Sequence, residues 1–280
     1  MTQLISSIQN KENELPGIYK GHLLIIGGGP RPAYLMHKFI RLAGGMDSGI
    51  VIIPMASQMP LETAKRHKQE LELMGCTNVS YINCSRDTAD CDQNLEILDN
   101  AKGVFFTGGD QNKLSAHLKG THILEKIKKI YADGGVIGGT SAGAAVMSKI
   151  MICGDGYNDS DVSPYLYDPV IREHVKLSQG FGFIENVIID QHFNTRDRKL
   201  RLINAVLEHP ELSGVGIDES TAIVVDPLGS FEVIGENHVM VFNSLPSDNH
   251  RQSGRKYITT SDIRITRLRS GDKYANAGNL

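Results

Sequence analysis

Five short, continuously apolar runs recur along the first half of the chain, separated by longer amphipathic stretches. The runs are His22–Ile26, 50–53, 79–82, 103–106 and the brief 136–137. Between them, 31–42, 61–74, 94–100, 113–118 and 121–132 place apolar side chains at helical spacing. A strand that is apolar on both faces belongs in a parallel sheet covered by helices on both sides. The alternation therefore predicts an α/β fold. Sheets of this kind bind ligands at the carboxyl ends of their strands. Glycine clusters fall at those ends, at 27–29, 108–109 and 138–139 with Gly143. Glycine lets backbone turn sharply and come close to a ligand.

The second half is less regular. Residues 151–180 are rich in Gly, Asp, Tyr and Pro without clear period, and read as a long functional loop. A strand at 187–189 and a helix over 195–208 follow. Short strands near Val215 and at 222–225, 231–234 and 239–242 read as an antiparallel extension, and 243–256 as a loop. Without a repeat or linker, one domain over 1–280 is the simplest count, with an N-terminal extension over 1–20 and a frayed tail over 267–280.

Composition narrows the functions. Lys and Arg total 29 and Asp and Glu 32, a net charge of −3 that argues against a dedicated nucleic-acid binder. The first 20 residues lack the basic start and apolar run of a secretory signal. No stretch approaches the roughly 20 apolar residues that span a membrane. Cys76, Cys84, Cys91 and Cys153 contain no C-x-x-C pair, so they read as free cytosolic thiols and place the protein in the cytoplasm. Residues 155–161 are acidic but lack the glycine and final Glu of a calcium loop. At 27–32 the third glycine of a dinucleotide site is missing, its place taken by Pro32. No metal and no organic cofactor is expected.

Gly139-Thr140-Ser141-Ala142-Gly143 is the strongest chemical signal. It fits G-x-S-x-G between a strand and a helix, where a tight turn exposes the serine hydroxyl. Small residues also pack helices onto sheets, but the strand–turn–helix context favours a nucleophile. A serine nucleophile needs a base, and the base an orienting acid. Of ten histidines, His192 follows a strand and reaches the active edge; His174, in the long loop, is a weaker competitor. The acid stays open among Glu219, Asp218, Asp155 and Asp159, with 218–219 again ending a strand. The order Ser, His, acid differs from the Ser, acid, His of α/β-hydrolases and argues against a lipase or esterase. Four cations, Arg196, Arg198, Lys199 and Arg201, crowd beside His192. Such a run is usually a solvated helix face, but next to a catalytic edge it suits carboxylate or phosphate recognition. Thr107-Gly-Gly-Asp110-Gln111 closes another strand and offers backbone N–H groups and the Gln111 amide.

Taken together, residues 139–145, 107–111, Asp190-Gln191-His192-Phe193 with Arg196, Arg198 and Arg201, and 216–219 resemble the serine-peptidase family of the cyanophycinases, which also contains aspartyl dipeptidase (peptidase E). The likeness runs from about His22 to Phe242. The D-Q-H-F-x-x-R-x-R-x-x-R run points to cyanophycinases within the family. The resemblance implies a flavodoxin-like or class I glutamine-amidotransferase-like three-layer sandwich, mainly parallel with the antiparallel extension, and a homodimer. It also implies exo-acting hydrolysis of cyanophycin, a poly-L-aspartate carrying arginine on each side-chain carboxyl, to β-Asp-Arg through an acyl-enzyme. By motif, Ser141 is then the nucleophile, His192 the base and Glu219 the acid. Gln111, Asp190, Gln191, Arg196, Arg198 and Arg201 match substrate-pocket positions, and Ala142 with Gly109 supplies the oxyanion hole. The competing readings are an aspartyl dipeptidase of the same family and a non-catalytic amidotransferase-like binding protein.

Overall fold

The structure, a computed structural model, describes residues 21–157, 173–244 and 262–275. The apolar runs form the parallel strands β1 (His22–Ile26), β2 (Gly49–Ile53), β3 (Val79–Tyr81), β4 (Ala101–Phe106) and β5 (Val136–Thr140), in the spatial order β1-β5-β4-β2-β3. Both faces of these strands are covered. Leu24 and Ile26 join Leu35, Met36 and Phe39 of helix α1 (Ala33–Leu42), with Leu71 of α2 (Pro60–Leu73). Leu23 and Ile25 face Leu114 of α4 (Gln111–Leu118) and Ile127 of α5 (His122–Ala132). Helix α3 (Asp92–Ile97) packs against α5. Successive strand residues point to opposite faces, so two buried faces require an unbroken apolar run.

A four-residue helix, α6 (Ala142–Ala145), follows β5 directly. The chain then forms a hairpin of β6 (Ile150–Tyr157) and β7 (Val175–Gln179). This corrects the reading of 151–180 as loop: Ile152 and Val175 are buried against helix α7 (Lys199–Glu208). Gly154 and Gly156 broke the apolar pattern that identifies a strand. Residues 158–172 lie outside the described residues.

The remaining strands divide between two sheets. Strands β10 (Thr221–Val225), β11 (Phe231–Gly235) and β14 (Lys273–Tyr274) extend the main sheet antiparallel from β1. Strands β8 (Val187–Gln191), β9 (Ser213–Ile217), β12 (His238–Ser244) and β13 (Ile263–Arg269) make a second sheet in the order β13-β12-β9-β8. Here β8 and β9 are parallel, whereas β12 is antiparallel to both its neighbours. Val215, Ile217, Val239 and Val241 pack toward the main sheet, and Ile188 and Phe242 face α7.

The expected frayed tail from 267 is also corrected. Through residue 275 the chain is held by strand pairing, by Phe231 stacked on Tyr274 at 5.3 Å, and by Asn243 Nδ2 donating to the Tyr274 hydroxyl. Residues 276–280 lie outside the described residues.

His67 of α2 is buried against Phe105, with ring centroids 5.8 Å apart. Burial, reinforced by Arg31 and Arg66, pushes its pKa down to about 3. Below its ordinary value of 6.5 the unfolded chain binds a proton that the native chain does not, so stability falls as pH drops from about 6.5 toward 3. Denaturant titrations at pH 7 and pH 5 should show a smaller acid loss in His67→Gln than in wild type. Equal losses in both proteins would remove His67 as the cause.

Candidate active site

The site forms where β5, β8 and β9 end against the loop after β1. Strand β5 stops at Thr140 and α6 begins at Ala142, so a single residue must reverse the chain. Ser141 does this with φ 55° and ψ −113°, a conformation rare outside glycine and typical of a nucleophile elbow. The turn needs small neighbours: a Cβ on Gly139 would lie 2.3 Å from the Gly143 carbonyl oxygen.

His192 follows β8 with φ 49°, and its backbone N–H donates to the Gly27 carbonyl at 2.7 Å. Its Nε2 lies 2.9 Å from Ser141 Oγ, and its Nδ1 lies 2.5 Å from Glu219 Oε1. With the proton on Nδ1 donated to Glu219, Nε2 accepts from the serine hydroxyl. Glu219 follows β9, and the next residue, Ser220, donates its N–H to the Gly28 carbonyl and its hydroxyl to the Pro30 carbonyl. Three residues 51 and 27 positions apart in sequence thus meet in one chain of hydrogen bonds.

Asp218 does not reach the imidazole. Its Oδ1 accepts from the Thr195 N–H at 3.2 Å, the Thr195 hydroxyl at 2.9 Å and the Glu219 N–H at 2.9 Å. It therefore clamps the turn after His192 onto the end of β9, a role that its place in the sequence did not signal. His174 is buried at the start of β7, and the side chains of Asp155 and Asp159 lie outside the described residues.

The basic run separates into inward and outward parts. Arg201 forms a fork on Asp190, with Nε 2.8 Å from Oδ2 and Nη2 2.5 Å from Oδ1. The two residues are 5% and 1% exposed, a closed pair behind the site rather than free pocket groups. Arg198 donates through Nη1 to the Gln191 carbonyl at 2.6 Å and to Gln191 Oε1 at 2.7 Å. Arg196 is exposed and makes no ion pair among the described residues. Gln111 is buried and donates to the Ile152 carbonyl at 2.8 Å, tying α4 to β6.

Gly108 lies beside Ser141; a Cβ placed on it would be 3.4 Å from Ser141 Cβ. Among the described residues, the backbone N–H groups of Gly109 and Ala142 meet no acceptor. No cluster of three or more His, Cys, Asp or Glu among the described residues is placed to hold a metal. No described helix is long and apolar enough to cross a membrane.

The fold is a class I glutamine-amidotransferase-like scaffold, and the family match makes the chain a serine-type peptidase. The chain belongs to Peptidase family S51, whose sequence pattern matches residues 23–229. Among its relatives are the cyanophycinases of Trichormus variabilis, 34% identical over 94% of this chain and 88% of that one, and of Geminocystis herdmanii, 34% identical over 91% and 93%. A crystal structure of a peptidase from an acI-B1 Actinobacterium shares the fold, with TM-score 0.68 and 23% identity over 92% of this chain and 98% of that one.

Burial is the largest influence on His192 and lowers its pKa below 6.5; the hydrogen bond to Glu219 opposes this, and Arg196 lowers it further. The ring is therefore neutral and able to accept a proton near pH 7. An NMR titration of the imidazole should give a midpoint below 6.5, and Arg196→Ala should move it upward. A wild-type midpoint above 6.5 would contradict the burial argument.

Proposed function

We propose that the chain is an exo-acting hydrolase of cyanophycin that releases β-Asp-Arg dipeptides. The observation that carries this is the Ser141–His192–Glu219 hydrogen-bond chain beside the exposed Arg196, in a family member related over most of its length to cyanophycinases. Ser141 Oγ attacks the backbone carbonyl carbon of an aspartyl residue while His192 Nε2 takes the hydroxyl proton. Glu219 holds the imidazole in the required tautomer and stabilises its cation. The N–H groups of Ala142 and Gly109 receive the tetrahedral oxyanion. Collapse breaks the C–N bond, and the leaving amine takes the proton from His192. Water then attacks the acyl-serine ester, giving one proton to His192, which returns it to Ser141 as the acid product leaves.

Each arm of this polymer ends in a free carboxylate and a guanidinium. Arg196 meets the carboxylate, the contact that a planar guanidinium favours. Gln191, braced by Arg198, lines the same wall. Asp190 and Arg201 act from behind, fixing the segment that leads into His192; Gln111 fixes β6. The reading includes a cytoplasmic enzyme, supported by the free thiols of Cys76, Cys84, Cys91 and Cys153, and a homodimer, supported by the family resemblance.

Purified cyanophycin incubated with the protein and followed by mass spectrometry should yield β-Asp-Arg. Ser141→Ala should cut kcat by about 10⁴-fold or more with the fold intact. Undiminished release from that variant would remove Ser141 as nucleophile, and no release by wild type would remove cyanophycin as substrate.

A further inference from the structure

The second sheet carries more cation than the site uses. Strands β8 and β9 run into His192 and Glu219, and antiparallel β12 begins at the same end, where the Asp218 N–H donates to the His238 carbonyl at 3.2 Å. On edge strand β13, Arg269 lies opposite His238 and Arg267 opposite Met240. Directly opposed residues share a face of a sheet. Met240 and Phe242 are on the α7 side with Phe193, whereas Val239, Val241 and Leu268 face the core. Arg267 and Arg269 therefore leave the sheet on the face, and at the end, that carry the 192–198 turn and Arg196.

Arg196, Arg267 and Arg269 are all exposed, and among the described residues none makes an ion pair with a carboxylate. Arg267 Nη2 donates to His238 Nε2 at 3.0 Å. Asp272 accepts from the backbone N–H of Arg269 rather than from its guanidinium. Strand β13 stands three strand spacings from β8, which leads into His192, about 14 Å. An extended peptide covers that distance in about four residues, at roughly 3.3–3.6 Å each.

We propose that Arg267 and Arg269 form an extended subsite that grips the arms of cyanophycin repeats about four residues from the cleaved bond. The proposal rests on the cyanophycin reading. The arginine-borne carboxylates of the arms take the two guanidiniums, and the rim acids Asp197, Glu236 and Asp272 are of the sign that meets the arms' own guanidiniums. An edge strand also carries arginine to block pairing with other chains. That role affects aggregation but not the use of long over short substrate.

The test compares polymeric cyanophycin with the two-repeat oligomer, which ends before β13. The Arg267→Glu/Arg269→Glu variant should raise KM for polymer by about 3- to 10-fold with kcat unchanged, and leave the oligomer constants at wild-type values. Arg267→Gln/Arg269→Gln should give a smaller shift in the same direction. Wild-type KM for polymer in both variants overturns the subsite, as does an equal loss on both substrates. Wild-type protein that leaves cyanophycin intact instead overturns the functional reading, and the subsite with it.

Discussion

Three consecutive carbonyls at the end of β1 hold the site together. Ile26 accepts from the Ser141 N–H at 3.1 Å, Gly27 from the His192 N–H at 2.7 Å, and Gly28 from the Ser220 N–H at 3.0 Å. Each donor belongs to a different segment, and each segment carries one member of the Ser141–His192–Glu219 chain. The relative positions of the three side chains are thus set by backbone spacing along one short segment, Ile26 to Gly28, where β1 ends. Hydrogen bonds of this kind cost more to leave unmade in a buried site than they add when made, so the arrangement resists drift. Gly28 has φ +103°, and a Cβ there would lie 2.4 Å from His192 Nε2. The imidazole occupies the space that a side chain would fill.

Around this crossing the second sheet acts as a carrier. It delivers His192 from β8 and Glu219 from β9, adjacent parallel strands, which is why the chain order is serine, histidine, acid. The main sheet delivers the serine alone. Asp218 fastens the turn after His192 to β9, and the buried Asp190–Arg201 fork fastens β8 to α7. A buried ion pair adds little net stability against an apolar replacement, but removing one partner leaves a buried charge. Its use here is to fix geometry next to His192. Arg196, one turn nearer solvent, adds to burial in holding the His192 pKa down.

The parallel strands were legible because two covered faces force unbroken apolar runs, as in Leu23-Leu24-Ile25-Ile26. The elbow was legible because Gly139, Ser141 and Gly143 satisfy steric demands local to the turn. Following strands to their ends led to His192 and to the neighbouring carboxylates Asp218 and Glu219, between which only the family resemblance chose. What stayed hidden depends on direction and partner. Residues 192–198 form an irregular turn, with positive φ at His192 and Asp197, so helical spacing did not reveal that Arg201 turns inward and Arg196 outward. Helix α7 starts at Lys199, later than the expected 195, for the same reason. Strand β13 carries charges on an edge, and its burial comes from one side only, through Leu268. Its alternation is too weak to mark a strand without its partner β12.

The most direct measurement is kcat/KM of Gly28→Ala on cyanophycin, with circular dichroism to confirm folding. The alanine Cβ has to displace the imidazole while Ser141 and Glu219 keep their own backbone anchors. A displacement of about 1 Å costs on the order of 10²-fold in rate. The expected result is a folded protein with kcat/KM down by about that factor. A folded Gly28→Ala protein with wild-type kcat/KM would contradict the account, because the base would then be positioned by something other than the end of β1.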